Sequence, residues 1–193
     1  MKLYYTPKSH FARKNRILLD ALSIDVELID AGNVADNNPE IFAHNPLMKV
    51  PTLVDAELTV YESDHIAHYI VKKFDPDDQF KVLTCDWQQL NARAVMNGVM
   101  VAEVELIMAK RTGIDINAYT RFEKLSATVV NGLEWLEKQV DFFVGEPSYI
   151  DFHLISLWDH LVLYKMFSLE HPKLKYRVEQ LSKLRYIKKS SPI

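Results

Sequence analysis

The 193-residue sequence holds one cysteine, Cys85, so it can form neither an intramolecular disulfide nor a CxxC redox pair. That scarcity suits a reducing compartment, and a cytoplasmic location is the expectation. Five glycines and eight prolines are too few for a low-complexity or linker-dominated chain, and no internal repeat is visible. A basic excess is missing too: the net charge of −3 argues against nucleic-acid binding. The opening Met1–Pro7 has no apolar core of the kind a secretory signal needs. No apolar run reaches the roughly 20 residues that span a bilayer, so no membrane role is expected. The longest, Phe152 to Phe167, is broken by His153, Asp159, His160 and Lys165 and reads as a core helix. His44, His65, His68, His153, His160 and His171 lack metal-ligand spacing; His65 and His68 are three apart but have no evident third ligand, and no metal is expected.

What is present is an ordinary globular composition, 48% apolar and 25% charged. From Lys173 to Lys189 the chain carries seven basic residues and one acid, Glu179, for which a solvated helix end is a plainer reading than an anion site. The first 75 residues alternate strand and helix signals. Lys2–Thr6 reads as a strand, Phe11–Leu22 as an amphipathic helix, and Val26–Asp30 as a second strand. Pro39 opens a short helix, Thr52–Val54 and Leu58–Tyr61 form a hairpin around Asp55-Ala56-Glu57, and Ser63–Phe74 is a closing helix. The order is βαβ, α, ββα.

After Asp75-Pro76-Asp77-Asp78 the strand signals stop, and residues 76–84 read as a linker between domains at 1–75 and 85–193. Helices are expected from about Thr84 to Lys110, along the stripe Phe122, Leu125, Val129, Leu133, Leu136, Val140, and over Tyr149–Phe167 and Lys173–Leu184. An α/β half followed by an all-α half argues for two domains.

Several residues invite chemistry. Val50-Pro51 precedes a strand, and only proline makes a cis peptide inexpensive, at about 0.5–1 kcal/mol; local sequence leaves cis and trans open. Ser63, after Glu62, is a natural N-cap at a strand-to-helix junction, where backbone N–H groups and the helix dipole can also receive a carboxylate. Ser9 stands just before the first helix, where it can simply cap or can donate a hydrogen bond to an anion. Ser148-Tyr149-Ile150-Asp151 has capping-box spacing and reads as structural.

Asn45-Pro46-Leu47-Met48-Lys49-Val50-Pro51-Thr52-Leu53-Val54 followed by Glu62-Ser63-Asp64-His65-Ile66 resembles the NP-x-x-KVP-x-L…ES-x-x-I segment of the glutathione S-transferase family. Tyr4-Tyr5-Thr6-Pro7-Lys8-Ser9, leading into Arg13–Ile17, is similar to the opening of its serine-type members, and Gly145–Asp151 to the cap of its central C-terminal helix. The resemblance spans nearly the whole chain. It implies a thioredoxin-like N-terminal domain, an all-helical C-terminal domain and a homodimer. It also implies a transferase that joins the glutathione thiolate to small apolar electrophiles in detoxification.

Carried onto this sequence, the resemblance makes Ser9 the thiolate donor, with Tyr5 as its competitor. Val50 and a cis Pro51 would pair with the cysteinyl backbone of glutathione, Lys49 with the glycine carboxylate, and Ser63 with the γ-glutamyl carboxylate. Glu62 or Asp64 would face the γ-glutamyl ammonium. Asp36, an acid, is not assigned a carboxylate contact. Met96, Val99, Met100 and Glu103 would line an electrophile pocket, although such a stripe is more often plain core. His10, where serine-type relatives have proline, reads as a solvent-facing first-turn residue. Two alternatives stay open. Leu53–Ser63 also resembles stringent starvation protein A, a non-catalytic interaction protein, and the same site would serve a glutathione-dependent peroxidase, isomerase or disulfide reductase.

Overall fold

The computed structural model describes residues 1–192; residue 193 and the side chain of Val140, the last position of the expected stripe, lie outside the described residues. The chain forms two compact units, Met1–Leu83 with Leu184–Pro192, and Thr84–Lys183.

The first unit is built on strands β1 (Lys2–Tyr5), β2 (Glu27–Asp30), β3 (Thr52–Asp55) and β4 (Leu58–Tyr61), in the sheet order β2-β1-β3-β4. β1 runs parallel to β2, which requires a crossover, and helix α1 (His10–Ala21) supplies it. β3 is antiparallel to both β1 and β4. Leu3 lies opposite Leu53 and both are fully buried; each such leucine contributes about 1.5–3 kcal/mol. Ile17, Leu18 and Leu19 of α1 join that core, as do Ile66, Ala67, Ile70 and Val71 of α2 (Ser63–Phe74). Pro39–Phe42 is a single 3-10 turn capped by Asn38, and it buries Phe42.

The hairpin loop is shorter than the sequence suggested. Asp55 extends β3 and pairs with Leu58, leaving Ala56-Glu57 as the turn, with Ala56 left-handed at φ 51°. The Asp55 carboxylate accepts hydrogen bonds from Lys73 and, at 2.6 Å, from the Tyr69 hydroxyl. These bonds, that of Lys73 foremost, hold its pKa below the usual carboxylate value.

The stretch read as a linker is internally bonded. Asp75 Oδ2 accepts from the Gln79 N–H at 2.9 Å, and the Asp78 carboxylate accepts from the N–H groups of Val82 and Leu83 at 2.7 and 2.8 Å. Val82 is fully buried. Residues 184–192, which the sequence assigned to the helical half, also belong to this first unit. Their short helix α7 (Arg185–Lys188) buries Ile187, sets Tyr186 edge-on to Phe80 at 6.3 Å, and is followed by Lys189 paired with Asp20. Four residues are too few to show a helical stripe, so composition alone left this segment in the basic tail.

The second unit holds α3 (Trp87–Arg111), α4 (Thr120–Lys138), α5 (Tyr149–Tyr164) and α6 (Pro172–Leu181), with a 3-10 turn at Val140–Phe143. Asp86 caps α3 through a 2.9 Å bond from the Gln88 N–H, so the helix starts three residues after the expected Thr84. Val129, Leu133 and Leu136 of the α4 stripe are buried, and Gly132 among them lets α3 approach closely. A Cβ there would stand 2.3 Å from Val99 Cγ2. α5 is buried from Tyr149 to Leu161 and stops at Tyr164, earlier than expected, because Lys165 turns left-handed. At its start Asp151 accepts from the Ser148 N–H at 2.9 Å, the reciprocal half of the expected capping box. Arg177 of α6 then grips the same carboxylate at 2.7 and 2.9 Å. Among the described residues no helix is long and apolar enough to cross a membrane.

Candidate functional site

Register brings the predicted residues of the first unit to one end of its sheet. Tyr4 pairs with Thr52, and Thr52 with Tyr61. The end of β1, the start of β3 and the end of β4 therefore lie side by side. The loop to Ser9 and α1 follows the first, the Val50–Pro51 peptide precedes the second, and Glu62 leads from the third into α2. Two helix N-termini with their partial positive charge thus share one sheet edge.

Ser9 is the N-cap of α1. Its Oγ accepts from the Ala12 N–H at 3.2 Å, a bond that uses a lone pair and leaves the hydroxyl hydrogen to be donated elsewhere. The Val50–Pro51 peptide is cis. Among the described residues, no hydrogen bond within the chain engages the N–H or C=O of Val50. The neighbouring carbonyl of Lys49 is held by Asn45 Nδ2 and Thr52 Oγ1, each at 3.1 Å, while the Lys49 residue itself is exposed. Asn45 is buried and also accepts from the Leu47 N–H at 2.9 Å, so it organises the loop before the proline.

At the third corner the structure corrects the sequence reading. Glu62, not Ser63, is the N-cap of α2, at φ 69° and ψ 130°. Its carboxylate accepts from the Asp64 N–H at 2.8 Å and from the Ser63 hydroxyl at 2.9 Å. Ser63 is buried as the first helical residue, and its carbonyl accepts from Asn15 Nδ2 at 2.8 Å. Serine is the stronger cap by preference, but the strand reverses into the helix within one residue and places the turn at Glu62. A non-glycine residue in that backbone region costs on the order of 1–3 kcal/mol, and such outliers cluster at ligand clamps.

A glutathione S-transferase N-terminal domain family model matches residues 3–78. Glutathione S-transferase 4 of Zea mays is 25% identical over 82% of this chain and 73% of its own length. Glutathione S-transferase T2 of Arabidopsis thaliana is 28% identical over 75% of this chain, which spans only 26% of that longer protein. A solved glutathione S-transferase from Methylobacillus flagellatus, with glutathione bound, superposes with a TM-score of 0.82 at 25% identity, covering 100% of this chain and 99% of its own. Residues 3–78 thus match the glutathione S-transferase N-terminal domain, and the chain as a whole shares the fold of a solved glutathione S-transferase.

The remaining residues that the glutathione S-transferase resemblance singled out fall in two places. Tyr5 ends β1, half-buried, with the Arg16 guanidinium stacked 4.6 Å from its ring centroid. Burial lowers the pKa of Arg16. His10 is buried rather than solvent-facing, with its ring 4.7 Å from that of Phe11. In the helical unit Met96, Val99, Met100 and Glu103 are all buried. Val99 faces Gly132 of α4, and Glu103 Oε2 lies 2.8 Å from His160 Nδ1. A separate cleft of about 550 Å³, lined by residues such as Asp20, Asp25, Arg185 and Lys189, holds none of the predicted site residues. It lies at the opposite sheet end, before β2 begins.

Asn15, Lys14 and Asn45 were not foreseen. All three stand inside the motif segments, but no role was expected of them: Lys14 and Asn15 find their partners on α2, and Asn45 bonds within its own loop.

Proposed function

We propose that this chain is a glutathione transferase in which Ser9 stabilises the glutathione thiolate for attack on a small apolar electrophile. The observation that carries the reading is the Ser9 hydroxyl at the N-terminus of α1, its oxygen occupied by Ala12 and its hydrogen left to donate. A free thiol has a pKa of about 8.5, and lowering it by about two units needs some 2.7 kcal/mol of preferential anion stabilisation. A hydrogen bond to the charged sulfur and the helix dipole act together in that direction.

The nucleophile comes with the cosubstrate, so the protein needs no reactive cysteine of its own. The cysteinyl backbone of glutathione pairs with the unengaged N–H and C=O of Val50 beside Pro51, and Lys49 meets the glycine carboxylate. The γ-glutamyl carboxylate sits at the first turn of α2 after Glu62, whose own charge faces the ammonium. The thiol proton passes to solvent, the sulfur lone pair forms the new carbon–sulfur bond, and the electrophile expels its leaving group or takes up a proton. Tyr5 is the second choice as donor. Detoxification in the cytoplasm by a homodimer belongs to the same proposal and draws on the family resemblance.

The test is retention on immobilised glutathione followed by conjugation of a chromogenic electrophile by wild type, Ser9→Ala and Tyr5→Phe. Ser9→Ala should lose about 10²-fold in kcat, the size seen when one donor to a developing anion is removed. The ultraviolet absorbance of bound thiolate should disappear at neutral pH. If Tyr5→Phe abolishes turnover and Ser9→Ala does not, the tyrosine is the donor.

A further inference from the structure

Two consecutive residues of α1 reach the first turn of α2. Lys14 is fully buried, and its ammonium donates to Asp64 Oδ1 at 2.9 Å. Asn15, also buried, donates to the Ser63 carbonyl at 2.8 Å. The helix that begins at Ser9 is thereby bonded to the helix that begins after Glu62. Burying an ammonium is expensive, and an apolar residue of similar volume would pack there with no charge to desolvate. The Asp64 side chain is 26% exposed and Lys14 not at all, so the cation lies beneath the carboxylate on its protein side.

The arrangement sets the charge at the start of α2. Glu62 and Asp64 flank Ser63, and two unopposed carboxylates there would repel a third. With Lys14 against Asp64, one of them is offset.

We propose that Lys14 is a positioning residue of the glutathione site: from the buried side it neutralises Asp64. The first turn of α2 can then accept the γ-glutamyl carboxylate while the negative charge of Glu62, which its two hydrogen bonds leave in place, meets the ammonium. This rests on the transferase reading above and assigns within it what sets the affinity for the γ-glutamyl end.

The experiment compares wild type, K14M, K14Q and K14M/D64N, with folding checked by circular dichroism. Conjugation is measured with glutathione and with an analogue whose γ-glutamyl group lacks its α-carboxylate. K14M should raise KM for glutathione about tenfold with kcat changed less than twofold, and KM for the analogue should move by less than half as much on a logarithmic scale. K14M/D64N, which removes both charges, should recover most of the loss. K14Q keeps a hydrogen bond to Asp64 without the charge and carries the same expectation, so it decides the matter if K14M fails to fold. Equal losses for glutathione and the analogue, an unchanged KM, or no recovery in the double variant would overturn the proposal. Wild type that neither binds nor conjugates glutathione would instead overturn the transferase reading itself.

Discussion

Glu62 performs two tasks with one carboxylate, and its backbone bears the strain of doing so. The side chain caps α2 through the Asp64 N–H and accepts from the Ser63 hydroxyl, while φ stands at 69°. Glycine adopts such angles at little steric cost, and substituting a cap by glycine loses only a few tenths of a kcal/mol, whereas alanine loses about 1 kcal/mol. Glu62→Gly should therefore be more stable to urea than Glu62→Ala by about 1 kcal/mol, and both should bind glutathione more weakly than wild type. Equal stability of the two variants would show that the backbone angle carries no strain. The sequence pointed to this dipeptide through the family motif but gave the cap to Ser63, because capping preference is a local statistic and the strand-to-helix reversal is not. Lys14 and Asn15 were illegible for a related reason: both are buried polar residues of α1 whose partners, Asp64 and Ser63, lie on α2.

Elements show the same division between local and distant causes. The capping box at Ser148–Asp151 could be read from spacing, but Arg177, which doubles the load on Asp151, comes from another helix and has no local signature. The apolar stripe of α4 was equally plain, and Gly132 lies within it. The structure gives it a purpose. With a Cβ placed 2.3 Å from Val99 Cγ2, α3 and α4 pack at a separation that only glycine permits. Gly132→Ala gains about 1 kcal/mol of helix propensity and meets an overpacking cost of about 1–3 kcal/mol, since a β-branched valine has few rotamers to retreat into. Net destabilisation of about 1 kcal/mol is expected by thermal or urea unfolding. Adding Val99→Ala should make Gly132→Ala neutral or favourable, because the obstructing methyl is gone. A Gly132→Ala variant as stable as wild type would mean the helices separate at no cost.

At the scale of the whole chain, the order of strands and helices was legible because periodicity and turn residues are local, and so was the change of grammar near residue 76. The path of the chain end was not. Leu184–Pro192 belongs with the α/β unit through contacts whose partners, Phe80 and Asp20, lie more than a hundred residues away. Burial of Ile187 makes that association apolar at its centre, so it persists in salt, whereas the exposed Lys189–Asp20 pair is screened. Ending the chain after Lys183 should therefore destabilise the α/β unit and leave the helical unit nearly unaffected. Hydrogen exchange is the suitable measurement, since it resolves the loss by segment. Faster exchange should appear at the C-terminal turns of α1 and in residues 78–83, where the lost side chains packed, and protection in α3 and α5 should hold. Uniform loss of protection through both units would mean that the end segment stabilises the whole chain and not the α/β unit alone.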